Sequence, residues 1–106
     1  MKVLFDDVVE IYLNELIDIL YEKEYFGFRT SAYDYVGWII DSIENDIAKM
    51  PYKIAPPYFS RYGNDLYYSV FKRNNETQWY VFFNFESDIF YIRYIGSNHN
   101  CAKYIR

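Results

Sequence analysis

The chain has 106 residues, a formal net charge of −4, and a composition that is 52% hydrophobic and 24% aromatic. Such a chain is too apolar for intrinsic disorder and large enough for one core, so residues 1–106 read as a single domain. One cysteine, Cys101, excludes an internal disulfide, and no apolar run approaches the ~18 residues of a membrane span. The acids of "MKVLFDDVVE" stand where a signal peptide needs an unbroken apolar stretch, which predicts a soluble cytoplasmic protein with no membrane partner. The 14 tyrosines and 9 phenylalanines predict many half-exposed rings whose hydroxyls stay wet.

In chain order, "KVLF" suits a short first strand. "DDVVEIYLNELIDILYEKEY" then places Val9, Tyr12, Leu13, Leu16, Ile17 and Leu20 three and four apart, an amphipathic helix with acids at its start. Gly27 in "FGFR" is expected to break it. The second helix is expected to open at "SAYD" and to bury Ala32, Val36, Ile39, Ile40, Ile43, Ile47 and Met50, with Pro51 ending it. "PYKIAPP" carries all three prolines and reads as a stiff crossing.

From Leu66 the pattern changes to three strands, "LYYSVFKR", "QWYVFFNF" and "IFYIRYI", whose short separators "NNET" and "ESD" impose an antiparallel meander. A two-residue turn at Asn74 and Asn75 would pair Phe71 with Gln78 and Ser69 with Tyr80. Pairing Asn84 with Ile89 would set Tyr80 against Arg93 as well. One face then carries Tyr67, Ser69, Phe71, Arg73, Gln78, Tyr80, Phe82, Asn84, Tyr91, Arg93 and Ile95. The other, with Tyr68, Val70, Trp79, Val81, Phe83, Phe85, Phe90, Ile92 and Tyr94, is the core against the helices. The expected class is therefore α+β, two N-terminal helices on one face of a 3–4 stranded antiparallel sheet.

Charge is divided along the chain. Residues 1–50 hold 4 basic and 11 acidic side chains, a sum of −7, and residues 51–106 hold 7 and 4, a sum of +3. An anionic ligand would meet the second half, although acids that merely solvate the helices account for the division equally well.

This order of elements, with the helix "YLNELIDILYEKEYFGF", the crossing "PPYFSRYG", the strand "TQWYVFF" and above all "YIRYIGSNHNCAKYI", resembles the RelE/ParE toxins of bacterial toxin-antitoxin systems. The resemblance implies helices on one face of the sheet and basic and tyrosine residues on the other. It implies a metal-independent endoribonuclease that cuts messenger RNA, in many members on the ribosome, and that is restrained by a protein antitoxin. In that chemistry the ribose 2′-hydroxyl attacks the adjacent phosphate, leaving a cyclic phosphate and a free 5′-hydroxyl. No cofactor or metal is implied.

On this resemblance His99 is the acid/base candidate, Arg93 and Arg61 are phosphate ligands, and Tyr104 assists. Lys53, Lys72, Arg73, Tyr80, Tyr91 and Lys103 would complete an RNA-binding surface. Members of the ParE kind instead inhibit DNA gyrase by binding it, and a degenerate member would bind nucleic acid by stacking alone. Structural roles compete at each position: a turn for His99, a ring or a Glu86 or Glu76 partner for Arg93, a loop charge for Arg61, ring packing for Tyr104. Cys101 reads as a half-buried filler, and one His beside one Cys makes no zinc site.

Overall fold

The computed structural model describes residues 1–22 and 29–105. Strand β1 (Lys2–Phe5) leads into helix α1 (Asp7–Glu22), and helix α2 (Arg29–Asp46) follows, ending in a 3₁₀ turn over Ile47–Lys49. Strand β2 (Lys53–Ile54), a second 3₁₀ turn (Pro57–Tyr62), and strands β3 (Tyr67–Lys72), β4 (Gln78–Glu86) and β5 (Ile89–Ser97) come next. A short helix α3 (Asn98–Cys101) and a last 3₁₀ turn (Ala102–Tyr104) close the described chain. Gly27, expected to break the first helix, lies outside the described residues.

The class is α+β, with two helices on one face as the periodicity requires. Val9, Leu13, Leu16 and Ile17 of α1 and Ala32, Val36, Ile39 and Ile43 of α2 are buried together with Ile47, while Tyr12, Leu20, Ile40 and Met50 pack at the margin. Full burial of each such aliphatic side chain contributes about 1.5–3 kcal/mol. Among the described residues the chain is already helical at Arg29, two residues before Ser31.

The sheet corrects the expectation of three or four antiparallel strands. Among the described residues it has five, in the order β1-β5-β4-β3-β2, and it is mixed, because β1 runs parallel to β5. Its two edge strands have four and two residues, too short to show an alternation in sequence.

Both hairpin registers also differ from the expectation. Phe71 pairs with Trp79 and Lys72 with Gln78, because the Asn74 side chain accepts hydrogen bonds from the Glu76 and Thr77 amides, each at 2.8 Å, and lengthens the turn. In the second hairpin Ser87 and Asp88 both have positive φ, 51° and 65°, so the turn sits there and Asn84 pairs with Tyr91. The first of these shifts, by one residue, turns Tyr67, Ser69 and Phe71 toward the helices and Tyr68 and Val70 to the opposite face. Ser69, 1% exposed, satisfies its hydroxyl by donating to the Pro51 carbonyl at 2.9 Å.

A bulge governs β5. Phe82 pairs with Tyr94 and Phe83 with Ile92, so Arg93 is an extra residue between two pairs. Alternation breaks there: Tyr94 joins the face opposite the helices, and Ile95 returns to the helix core. Phe85, expected in that core, is 53% exposed near the end of β4.

Candidate functional site

The sheet face opposite the helices was expected to present basic and tyrosine residues. It is instead covered by the 3₁₀ turn Pro57–Tyr62 and by the segment after β5, which form a second, smaller core of Phe59, Leu66, Tyr68, Phe82 and Cys101. "PPYFSRY" suits a 3₁₀ turn because its prolines pre-set φ at the start and Gly63, at φ 154°, releases the chain at the end. Phe59 enters this core and stacks on Phe82 at 4.3 Å between centroids. Its neighbours Tyr58 and Tyr62 stay half-buried and each stacks on a tyrosine of the C-terminal half.

Tyr62 lies parallel to Tyr94 at 3.8 Å, and Tyr58 lies parallel to Tyr104 at 3.5 Å. The second stack is flanked by cations. Arg61 donates from Nε to the Tyr58 carbonyl at 3.0 Å and sets its guanidinium 4.0 Å from the Tyr58 ring, while Lys103 Nζ sits 5.1 Å from the Tyr104 ring. The two hydroxyls are hydrogen-bonded to each other. That bond lowers the pKa of Tyr104, aided by Lys103 and then Arg61, and raises that of Tyr58.

Arg93 is not free. Its Nε donates to Asn84 Oδ1 at 2.9 Å, and Nη1 is 3.3 Å from both carboxylate oxygens of Asp6, the residue joining β1 to α1. Its guanidinium also stands 5.3 Å from the Tyr91 ring. The partner is therefore Asp6, and neither Glu86 nor Glu76.

His99 is exposed on α3. That helix is tied to the start of β4 through Asn98, which accepts from the Gln78 amide at 3.0 Å and donates to the Glu76 carbonyl at 3.1 Å. Among the described residues no hydrogen bond, ion pair or ring contact joins His99 to Arg93, Arg61 or Tyr104. Arg73, expected on the same sheet face as Arg93, lies on the helix side, its guanidinium 5.0 Å from the Tyr35 ring and 4.8 Å from the Trp38 ring. Lys53 and Lys72 are exposed on β2 and at the end of β3. Tyr80 is half-buried, nearly parallel to Tyr68, with its pKa raised by burial.

Of the candidates, the fold therefore brings together Arg61, Lys103 and Tyr104 around the Tyr58 ring, and sets Arg93 beside Tyr91. Cys101 is a full core residue, 1% exposed, with its thiol pushed up to about 11 by burial. Among the described residues no three His, Cys, Asp or Glu side chains gather as metal ligands. No helix among them is long and apolar enough to cross a membrane.

Comparison with protein families, with curated proteins and with solved structures returns no match for the chain. Tyr58, Asp6 and Asn84 were not singled out by sequence reasoning. The four-residue spacing of Tyr58 and Tyr62 was a usable signal once "PPYFSRYG" is taken as a turn, whereas nothing local marks Asp6 as the partner of a residue 87 positions away.

Proposed function

We propose that this chain is a toxin of the RelE/ParE kind that cuts messenger RNA without a metal and is held in check by a protein antitoxin. The observation that carries this reading is the stacked Tyr58–Tyr104 pair with Arg61 at one ring and Lys103 at the other. In this reading Tyr104 takes the proton of the ribose 2′-hydroxyl as the oxygen bonds to the adjacent phosphorus. Arg61 and Lys103 offset the charge that builds on the phosphate oxygens, and His99, four residues before Lys103, protonates the 5′-oxygen as its bond to phosphorus breaks. Arg93 is a clamp between β5, Asn84 and Asp6 here, not a phosphate ligand.

The test is brief expression in bacterial cells of the wild type, Tyr104→Phe, Arg61→Ala and His99→Ala, with mapping of new messenger RNA 5′ ends. Tyr104→Phe keeps a ring in the stack and removes only the hydroxyl. The expected outcome is new ends with the wild type and a loss of about a hundredfold or more in each variant. One observation favours a second reading, a non-enzymatic inhibitor that binds a protein such as DNA gyrase: the sheet face expected to take substrate is filled by Phe59, Tyr62 and the C-terminal segment. Growth arrest without new ends, unchanged in Tyr104→Phe, would select it.

A further inference from the structure

A cleft of about 810 Å³ opens where the loop after the second 3₁₀ turn meets the ends of β4 and β5. Its aromatic walls include Tyr62, Tyr91 and Phe85, and Asp65 and Glu86 stand at it. Asn84 holds it in shape, donating from Nδ2 to the carbonyls of Asn64 at 2.9 Å and Asp65 at 3.2 Å while accepting from Arg93. Asp65 is fixed at φ 54°, in the left-handed region that a non-glycine residue rarely adopts. The loop is thus preorganised before any ligand arrives.

The charge of the cleft is decided by pairing. Arg93 is matched by Asp6, and neither Asp65 nor Glu86 has an ion-pair partner among the described residues. Within the lining Arg93 against Asp65 and Glu86 gives 1 minus 2, or −1, and because Arg93 is matched by Asp6, which stands outside the lining, both carboxylates are left uncompensated beside the rings. An anion would meet two unpaired carboxylates there. A planar cation would meet two carboxylates and aromatic surface, the pairing that a guanidinium satisfies best because it can stack and bond bidentately at once.

We propose that this cleft receives an arginine side chain of a protein partner, with Asp65 and Glu86 as its counter-ions and the rings as its stacking surface. The site is independent of the nuclease reading, since Tyr58, Arg61, Lys103 and Tyr104 do not line it. It also accounts for acids placed in the half of the chain whose sum is +3.

The experiment is calorimetric titration of the full chain with a capped alanine-rich hexapeptide carrying one arginine, and with the same peptide carrying citrulline, which keeps the shape and removes the charge. The arginine peptide is expected to bind in the millimolar range or tighter, with citrulline at least about tenfold weaker. Glu86→Gln and Asp65→Asn, which keep size and, for Asn, tolerance of the left-handed backbone, are expected to weaken the arginine peptide comparably while leaving the thermal midpoint unchanged. Equal binding of the two peptides, no heat at about 10 mM peptide, or inorganic phosphate binding that Glu86→Gln strengthens would each overturn the proposal.

Discussion

Gly96 and Cys101 share one space. A Cβ added at Gly96 would collide with Cys101 Sγ and approach the Tyr94 ring to 3.3 Å, so the last turns of β5 and the segment after it fit only because residue 96 has no side chain. Gly96→Ala should destabilise the fold by about 1–3 kcal/mol through overpacking. Cys101→Ala removes the sulfur and leaves a void of roughly the size the new methyl needs, so the double variant should recover most of that loss. Urea denaturation of the four proteins measures the coupling. Strictly additive losses would locate the crowding at the Tyr94 ring instead. The Arg93–Asp6 pair is a weaker contributor: its side chains are 34% and 38% exposed, so solvent screening holds it to about 1 kcal/mol or less.

At the scale of elements, the second layer hangs on one ring. Phe59 is 1% exposed, stacks on Phe82, and meets Tyr58 and Tyr104 edge-on at 5.0 and 6.3 Å, so it links the Pro57–Tyr62 turn to both the sheet and the C-terminal segment. Phe59→Ala should cost about 3–5 kcal/mol. Hydrogen exchange should show the amides of residues 57–62 and 98–104 losing protection first, with β4 and the helices retaining theirs until global unfolding. Simultaneous loss everywhere would mean that the two cores fold as one unit.

The helices were legible in sequence because α1 and α2 bury a stripe at a period of 3.6, which local spacing displays. The meander was legible from its turn residues. Its faces were not, because a single extra residue at Arg93 and a longer turn at Asn74 each invert alternation, and neither leaves a compositional mark. The candidate site was half legible for the same reason. Arg61, Lys103 and Tyr104 were named individually, but their meeting depends on a 3₁₀ turn folding over the sheet, and Arg73 was placed on the wrong face by the register error.

Across the whole molecule, burial of ionisable hydroxyls and a thiol makes stability fall with pH in the alkaline range. Burial pushes the Cys101 thiol up to about 11 from an ordinary 9 and the Tyr12 hydroxyl up to about 12 from an ordinary 10, and Tyr94 is raised as well, first by burial and then by its hydrogen bond with Tyr62. Well below pH 9 these groups are protonated in both the folded and the unfolded chain, so they add no pH dependence there. From pH 9 to 11 the unfolded chain releases the Cys101 proton while the folded chain keeps it. The folded state then binds more protons, and stability must fall as pH rises; Tyr12 extends the fall from 10 to 12. Urea denaturation should therefore give a level unfolding free energy from about pH 7 to 8.5 and a loss exceeding about 1 kcal/mol by about pH 11. Cys101→Ala should remove the earlier part of the decline and leave the part that begins near pH 10. Because the thiol is 1% exposed, alkylation at pH 8 should track unfolding, slow in the native protein and fast in urea. A profile flat to pH 11, or rapid native alkylation, would show that solvent reaches the second core, and that the C-terminal segment opens without the rest of the fold.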